Sequence, residues 1–466
     1  VTPKVNRRTK IVATIGPGSE SEDMIARLIN AGVNVFRLNF SHGTSAQHAE
    51  VARRIRKQSA IAGHYVGILA DLQGPKIRIS TFRDDAVELA VGDSFRLDLN
   101  LGEGEGDIRG VGLDYRELCS SVAPGDTLLL DDGRIRLQVD DVENSAVNCT
   151  VLIGGKLSSR KGINRLGGGL AAPALTTKDI ADIDSRAEVR PDFVAVSFVS
   201  SEEDISQTRE LLQKHDMHPG IIAKIERAEV VADEQVLNGI IRASLGVMVA
   251  RGDLGVEVGD AQLIGIQKEL IARARQMDRV VITATQMMES MIDSSMPTRA
   301  EVFDVANAVL DGTDAVMLSA ETAVGKYPVE VVTAMADAAL GAERQRVART
   351  SRYRLDREFS TTQETIAMSA IYAANHYSDV RGIACLTESG NTPLLMSRLS
   401  SGLPIFGLSG NGETLQKLCL CRGVVPLYFD ANAFEKDQVD ARAIEFLKDG
   451  GYPVSYTHLT LPTKIV

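Results

Sequence analysis

Three charged side chains that could hold a metal and a phosphate lie at the ends of two short apolar runs. Lys224 and Glu226 end the first run and Asp253 ends the second, between Gly220 and Leu254. Runs of this length that are rich in Ile and Val predict strands buried on both faces, as in parallel sheets. The carboxyl ends of such strands form the rim where barrels and open α/β sheets carry their chemistry. Two carboxylates and an ammonium there predict a divalent metal beside a cation for a phosphate or enolate, with a structural Lys–Glu ion pair as the alternative.

The composition describes an acidic chain of several domains. The chain has 466 residues, a length typical of about three domains, with a hydrophobic fraction of 44% and a net charge of −11. This charge disfavours nucleic acid and anionic membrane surfaces as partners. No apolar run reaches the roughly 18 residues of a membrane span. The five cysteines are odd in number and lack paired CxxC spacing, so we expect a protein of the reducing cytoplasm with neither a disulfide framework nor a zinc site.

The elements that must position these side chains follow a repeating strand–helix pattern. Between Lys10 and Leu72 the order is βαβαβ, which predicts a parallel sheet. Residues 76–171 lack long amphipathic helices and hold short strands between Gly, Asp and Asn turns, which predicts an inserted all-β lid. Five more strands follow in residues 172–345: Asp192–Phe198, Ile221–Glu226, Val247–Asp253, Val280–Gln286 and Ala315–Glu321. Eight strands predict an α/β fold with a TIM (β/α)8 barrel, formed by residues 1–75 and 172–345.

Polar residues at the ends of the predicted barrel strands extend the set of candidates. Such residues have little reason to interrupt Val/Ile runs unless something polar binds beside them. The alternative is that they only solvate the rim. The candidates are Arg37, Asn39, Ser41, Asp71, Lys76, Lys224, Glu226, Gly252, Asp253, Thr285, Ser319 and Glu321.

Residues 346–453 predict a C-terminal α/β domain. After its first strand, the loop Thr387–Thr392 opens a helix and carries Thr387, Ser389, Gly390 and Thr392. Free amides at a helix N-terminus favour a phosphate there, and an ordinary cap by a hydroxyl group is the alternative. Residues 454–466 do not continue the α/β pattern, and we expect them to be a non-native tail.

Seven motifs resemble those of the pyruvate kinase family. They are Thr9–Pro17, Asn34–Gly43, Asp71–Arg78, Ala250–Glu257, Ala284–Met291, Pro297–Glu301 and Asp304–Gly312, and the resemblance spans residues 5–452. Lys161–Asn164 and Leu166–Gly169 are most similar to the bacterial members that are regulated by AMP or sugar monophosphates. The resemblance implies a barrel domain, a mobile β lid and a C-terminal effector domain in a homotetramer. It also implies phosphoryl transfer from phosphoenolpyruvate to ADP, giving ATP and pyruvate in the last step of glycolysis.

The resemblance assigns roles to five of the rim residues. Glu226 and Asp253 match the family's Mg²⁺ ligands, with Mn²⁺ as the alternative ion. Lys224 matches the lysine that stabilises the phosphoryl group during transfer. Arg37 matches the arginine that binds the substrate phosphate, a role that suits a planar guanidinium. Thr285 matches a threonine that helps a water chain to protonate the enolate, a supporting role because its hydroxyl is a weak acid.

The resemblance also implies contacts from backbone amides and from the lid. The amides of Gly252 and Asp253 match contacts to the substrate carboxylate, and Arg78 and Lys161 match residues that contact the nucleotide. Lys161 lies in the predicted lid, so closure of the lid would bring it to the nucleotide and exclude water.

One motif departs from the family pattern at the K⁺ site. Asn39, Ser41, Asp71 and the carbonyl of Leu72 match that site. Members that depend on K⁺ resemble Asp-Thr-Lys-Gly-Pro-Glu, whereas residues 71–76 read Asp-Leu-Gln-Gly-Pro-Lys. A tethered ammonium can supply the charge that a bound cation would supply. We therefore expect Lys76 to make activity largely independent of K⁺; the alternative is an ordinary rim lysine beside a functional K⁺ site.

A second departure follows Gly450–Tyr452. Family members continue there with two further strands and a loop that completes the effector site, whereas residues 454–466 stand in that place here. We therefore expect a truncated C-terminal domain with an exposed sheet edge.

Two other functions are compatible with parts of the pattern. A phosphoenolpyruvate- or pyruvate-handling lyase on the same barrel would use carboxylates at the rim, but it would not need Arg78 or Lys161 for a nucleotide. A sensor that only binds sugar phosphates through Thr387–Thr392 would not need Lys224 or Glu226.

Overall fold

The first part of the barrel is formed by strands that are almost entirely buried. The computed structural model describes residues 7–113, 115–170, 172–185, 188–349 and 358–452, so the predicted tail at 454–466 lies outside the described residues. The first elements are β1 (Lys10–Ile15), α1 (Glu22–Ala31), β2 (Val35–Asn39), α2 (Ser45–Ala62) and β3 (Gly67–Asp71). Ser21 caps α1 by accepting a hydrogen bond from the Met24 amide, and Gly32 ends the helix at a φ of 113°.

An inserted β unit follows β3. Its elements are β4 (Ala86–Leu89), β5 (Ser94–Asp98), β6 (Gly110–Gly112), α3 (Leu118–Ser121), β7 (Thr127–Leu130), β8 (Ile135–Val142), β9 (Ala146–Ile153), β10 (Gly155–Ser158) and β11 (Ile163–Arg165). Six strands pair in the order β11-β7-β8-β9-β5-β6, and β10 pairs with β4. Ile135, Leu137 and Val139 alternate with exposed residues along β8 and enter a hydrophobic core within this unit. The limits of the lid at residues 76 and 171 stay a prediction.

The barrel then continues with five strands and their helices. The elements are α4 (Thr177–Ser185), β12 (Phe193–Val196), α5 (Glu202–Gln213), β13 (Gly220–Ile225), α6 (Ala228–Ala232), α7 (Glu234–Ala243), β14 (Gly246–Ala250), α8 (Arg251–Val258), α9 (Asp260–Gln276), β15 (Val280–Ala284), a 3₁₀ helix (Glu289–Ile292), α10 (Arg299–Asp311), β16 (Ala315–Leu318), α11 (Ala320–Ala323), α12 (Pro328–Glu343) and α13 (Arg346–Arg349). Eight parallel strands close in the order β1-β16-β15-β14-β13-β12-β3-β2. The predicted TIM barrel is confirmed.

The predicted strands Val247–Asp253 and Ala315–Glu321 extend into helices. Strand β14 ends at Ala250 and α8 begins at Arg251, so Asp253 lies in the first turn of a helix instead of on a strand. Strand β16 ends at Leu318, and α11 begins two residues later. The prediction failed because a polar residue after an apolar run is compatible both with a longer strand and with the start of a helix. In this position the negative charge of Asp253 interacts favourably with the electropositive N-terminal end of α8.

The C-terminal domain is a smaller α/β unit, as predicted. Its elements are α14 (Thr362–His376), β17 (Ile383–Leu386), α15 (Asn391–Ser397), β18 (Ile405–Ser409), α16 (Gly412–Leu418), β19 (Val424–Tyr428), a 3₁₀ helix (Ala431–Ala433) and α17 (Val439–Asp449). The strands form a parallel sheet in the order β17-β18-β19. None of the helices in the described residues is long and apolar enough to cross a membrane.

This C-terminal domain covers the amino end of the barrel. Arg398 pairs with Asp314, which precedes β16, and both side chains are only 1% exposed. Phe193 and Met248 on the barrel strands belong to the same buried hydrophobic cluster as Ile405 of the C-terminal sheet. Because the amino end is closed in this way, the carboxyl ends of the strands are the end available to a substrate.

Candidate active site at the carboxyl ends of the barrel strands

Lys224 lies at the centre of a cluster of charged groups. Its Nζ lies 3.0 Å from Glu226 Oε1 and 3.4 Å from Asp71 Oδ1, and it donates a hydrogen bond of 2.7 Å to Ser197 Oγ. Arg37 Nε donates to Asp71 Oδ2 at 2.6 Å. The structure therefore brings together four residues that the sequence predicted on three different strands or strand ends.

The electrostatics of this cluster keep Lys224 charged. Burial alone would lower the pKa of Lys224, but the carboxylates of Asp71 and Glu226 outweigh burial and hold the pKa above its usual value. Burial would raise the pKa of Asp71, but Lys224 and Arg37 outweigh it and hold that pKa below its usual value. Burial raises the pKa of Glu226, and the nearby charge of Asp253 adds to the rise. The result is a fixed ammonium at the rim, which suits charge that develops on phosphoryl oxygens.

Glu226 presents one carboxylate oxygen that suits a metal ion. Its Oε2 accepts a hydrogen bond of 2.7 Å from the Phe198 amide. Its Oε1 is buried and, among the described residues, has no partner in hydrogen-bond geometry, although Lys224 is near. The described residues contain no group of three or more His, Cys, Asp and Glu side chains arranged around one point. A site with one or two carboxylates fits Mg²⁺, which takes its remaining ligands from water and substrate oxygens.

Lys76 forms ion pairs both with Asp253, the second predicted metal ligand, and with the inserted β unit. Its Nζ lies 3.4 Å from Asp253 Oδ1 and 3.6 Å from Asp132 Oδ1, which belongs to the inserted unit. Burial lowers the pKa of Lys76, but the two carboxylates outweigh burial and raise it. Lys76 therefore stays charged, and its contacts are on the Asp253 side of the rim, whereas Asp71 pairs with Arg37 and Lys224.

The other residues of the predicted K⁺ site have partners of their own. Asn39 Oδ1 accepts a hydrogen bond of 3.2 Å from the Ser41 amide, and Asn39 lies opposite Asp71 in the register of β2 and β3. The Leu72 carbonyl accepts a hydrogen bond of 2.7 Å from Ser197 Oγ. Ser197 thus links this carbonyl to Lys224, a role that the sequence analysis missed. The available signal was its position directly after the fourth barrel strand.

Thr285 lies in a strained turn after β15. Its φ is 69° and that of Gln286 is 53°, a region that a β-branched residue adopts rarely. The Gly252 amide donates to Thr285 Oγ1 at 2.8 Å, and Thr285 Oγ1 donates to the Ala284 carbonyl at 2.6 Å. The Gly252 amide, which was predicted to contact the substrate carboxylate, is therefore bonded to the Thr285 hydroxyl in this structure.

Arg78 and Lys161 lie together on the inserted unit. Arg78 pairs with Gly162 through an isolated β-bridge, and its Nη1 donates to the Arg160 carbonyl at 2.9 Å. Lys161 Nζ lies 2.7 Å from Asp131 Oδ1. Both cations thus lie beside the bridge between Arg78 and Gly162. Their contacts to a nucleotide stay a prediction.

Glu257 connects the lid to the barrel and was missed by the sequence analysis. Its backbone carbonyl accepts a hydrogen bond of 2.9 Å from the Gly167 amide, and its side chain accepts one of 2.8 Å from the Ala228 amide. Burial raises the pKa of Glu257 to about 7. Glu257 ends the motif Ala250–Glu257, but the motif does not reveal these contacts, because they depend on how the inserted unit packs against the barrel.

Three other candidates have structural hydrogen bonds. The Glu321 carboxylate is buried and accepts hydrogen bonds from the amides of Ser319 and Met288, at 2.5 and 3.4 Å. Thr387 Oγ1 accepts a hydrogen bond of 2.9 Å from the Gly390 amide, which is the turn contact of the alternative interpretation. Phosphate binding by Thr387, Ser389, Gly390 and Thr392 stays a prediction.

The fold and the rim define an enzyme of the TIM-barrel class that is suited to a phosphate or an enolate. Family models for "Pyruvate kinase, barrel domain" and "Pyruvate kinase, alpha/beta domain" match residues 6–332 and 364–456. The chain belongs to the pyruvate kinase family, and it is a phosphotransferase that transfers the phosphoryl group of phosphoenolpyruvate to ADP. Members of this family generally need Mg²⁺ and K⁺.

Individual relatives resemble the chain over nearly its whole length. It is 55% identical over 447 residues to a pyruvate kinase of Haemophilus influenzae, covering 96% of this chain and 93% of that one. It is 55% identical over 451 residues to pyruvate kinase II of Salmonella typhimurium, with the same coverages of 96% and 93%. The crystal structure of a pyruvate kinase from Cryptosporidium parvum superposes with a TM-score of 0.89 at 33% identity, covering 97% of this chain and 92% of the other.

Proposed function

We propose that Lys224 faces the phosphoryl group during its transfer from phosphoenolpyruvate to ADP. The observation that carries this proposal is the buried ammonium between Asp71 and Glu226, at 3.4 and 3.0 Å. The transferred group spreads negative charge over three equatorial oxygens, and a cation that is already fixed stabilises that charge without reorganisation. Arg37, which is held by Asp71, binds the substrate phosphate.

Glu226 and Asp253 hold Mg²⁺ or Mn²⁺ in this proposal. Two observations support it: Glu226 Oε1 is buried with no partner in hydrogen-bond geometry among the described residues, although Lys224 Nζ lies 3.0 Å away, and Asp253 lies in the first turn of α8. When bound, the ion supplies positive charge to the phosphoryl oxygens. The Thr285 hydroxyl supports proton delivery to the enolate, and lid closure brings Lys161 and Arg78 to the nucleotide while excluding water.

A lactate dehydrogenase-coupled assay tests this function against its two alternatives. We expect pyruvate to form only when phosphoenolpyruvate, ADP and Mg²⁺ are all present. Pyruvate that forms without ADP would indicate a lyase, and no pyruvate under any of these conditions would indicate a non-catalytic sensor. Either result would contradict the proposal.

The charge of Lys76 replaces that of a bound K⁺ in our proposal. Its support is the permanent charge of Lys76 at the rim, 3.4 Å from Asp253 Oδ1. An ammonium at this distance from a proposed metal ligand acts on the same substrate charges, because electrostatic effects extend beyond direct contact in a partly buried site.

Turnover in K⁺-free buffer balanced with tetramethylammonium measures this effect. We expect activity to stay within about twofold of that in 100 mM K⁺, since a tethered charge needs no bound ion. A Lys76→Glu variant should then become strongly K⁺-dependent, while Lys57→Met, an exposed lysine on α2, should not. Near-complete loss of wild-type activity without K⁺ would show that Lys76 does not replace the ion.

A homotetramer and an effector site complete the proposal. A groove of about 470 Å³ between α10 and α12 is lined by apolar side chains that include Val302 and Phe303, and Phe303 is 71% exposed. Exposed apolar patches of this kind mark protein contacts, and we assign this one to a second copy of the chain. We also propose activation by AMP or a sugar phosphate at Thr387–Thr392, the loop that leads into α15. A cytoplasmic location stays a prediction.

A further inference from the structure

The Arg251 guanidinium binds the strained turn that carries Thr285. Arg251 is the first residue of α8 and is only 8% exposed. Its Nη2 donates to the Thr285 carbonyl at 2.6 Å, and its Nε lies 3.2 Å from the carbonyls of both Ala284 and Thr285. One planar side chain therefore holds two successive carbonyl groups at the end of β15.

Two neighbouring helices, α10 and α9, hold this guanidinium from the other side. Arg251 Nη1 donates to Asp304 Oδ1 on α10 at 2.7 Å and lies 3.4 Å from Gln267 Oε1 on α9. The ion pair with Asp304 is largely buried on the arginine side, where the carboxylate compensates the charge. Arg251 thus connects the turn after β15 to two helices of the barrel.

The turn needs such support because Thr285 and Gln286 are consecutive non-glycine residues with positive φ. Backbone conformations of this kind persist only when surrounding contacts hold them. Arg251 holds the Thr285 carbonyl, and the amide of the next residue, Gly252, holds the Thr285 hydroxyl at 2.8 Å. The start of α8 therefore fixes both the backbone and the side chain of Thr285.

We propose that Arg251 is a positioning residue that holds the Thr285 hydroxyl in place for protonation of the enolate. This inference rests on the proposed role of Thr285. In that step the enolate oxygen becomes a carbonyl, and the electron pair of the carbon–carbon double bond forms a new C–H bond at the methylene carbon. The proton comes from a water at the Thr285 hydroxyl, whose O–H bond breaks, and the hydroxide that remains takes a proton from solvent through a chain of waters. The hydrogen bonds of Arg251 described above go to the Ala284 and Thr285 carbonyls, Asp304 and Gln267, and none of them goes to the proposed metal ligands Glu226 and Asp253.

Exchange of the pyruvate methyl protons with D₂O measures the proton step separately. An Arg251→Met variant removes the donors and keeps a long apolar side chain. With Mg²⁺ and ATP present, we expect the exchange rate, followed by ¹H NMR, to fall by about 10²-fold, in the range of general acid–base effects. The KM for phosphoenolpyruvate should change by less than about twofold, because the groups that bind the phosphate are intact.

A double-mutant cycle with Thr285→Val distinguishes positioning from general loss of structure. If Arg251 acts through Thr285, adding Arg251→Met to Thr285→Val should slow exchange no further, within about twofold. Additive losses would overturn the positioning role of Arg251. If Thr285→Val alone leaves exchange unchanged, the proposed role of Thr285 is wrong instead, so the two failures can be told apart.

Two further variants keep this test decisive. Arg56→Met removes another guanidinium, which pairs with Asp192 at 2.7 Å near the amino end of the barrel strands, and we expect it to leave exchange unchanged. Asp304→Asn loosens the Arg251 guanidinium without removing it, so it serves if Arg251→Met does not fold. We expect Asp304→Asn to slow exchange by about fivefold, again non-additively with Thr285→Val; unchanged or additive exchange would contradict the proposal.

Discussion

Replacing Lys224 with methionine is expected to lower kcat for phosphoryl transfer by about 10³-fold, the order seen when a fixed charge at a phosphoryl or oxyanion site is removed. Methionine keeps most of the length of the side chain but cannot stabilise charge on the transferred group. Phosphoenolpyruvate and the metal ion should still bind. Arg37 continues to pair with Asp71 at 2.6 Å, and Glu226 Oε2 keeps its hydrogen bond from the Phe198 amide.

The Lys224→Met variant is measured by the coupled assay for kcat and by Mn²⁺ electron paramagnetic resonance for metal binding. The variant lacks the ammonium that pairs with both Asp71 and Glu226, and only Arg37 remains beside Asp71. The pKa of each carboxyl group should therefore rise, and metal binding should weaken at low pH. Lys57→Met on α2 is the matched control, because Lys57 forms an exposed pair with Glu22 that contributes little. Transfer at a near wild-type rate in Lys224→Met would exclude the central role given to this lysine.

Replacing Glu226 with glutamine is expected to weaken Mn²⁺ binding by at least about 10²-fold, more than changes in residues behind a ligand usually cause. Glutamine preserves the shape of the side chain but removes the negative charge that attracts the ion. Activity at limiting Mg²⁺ should fall in parallel, and excess Mg²⁺ should restore part of it.

Mn²⁺ titration followed by electron paramagnetic resonance measures this second effect. Glu257→Gln is the matched control, because Glu257 is also a buried glutamate near the rim but accepts its hydrogen bonds from the Ala228 amide and Asn164. Its Mn²⁺ affinity should stay within about twofold of wild type. An unchanged affinity in Glu226→Gln would mean that the ion is held elsewhere.

The barrel could be predicted from the sequence because its strands are buried on both faces. Runs such as Gly246–Ala250 are apolar throughout, and their spacing gives the number of strands. The ends of these runs could not be predicted equally well. Asp253 follows an apolar run whether the chain continues as a strand or starts a helix, and only the packing of α8 decides between them.

Charged site residues were predictable where they end barrel strands, and their partners were not. Lys224, Asp71 and Glu226 carry a signal because charge is rare in such runs. Ser197 carries no charge, and its position directly after the fourth barrel strand is a weaker signal, although its hydroxyl bonds to Lys224. The contact between Lys76 and Asp132 depends on how the lid folds over the rim, which no local pattern encodes.

The most direct test of the site's activity is ³¹P NMR of the chain with phosphoenolpyruvate, ADP and Mg²⁺. We predict that the phosphoenolpyruvate signal disappears while the γ-phosphate signal of ATP grows by the same amount, because the phosphoryl group passes directly to ADP in a site closed to water. Loss of phosphoenolpyruvate to inorganic phosphate without ATP, or no change in its signal, would contradict the account.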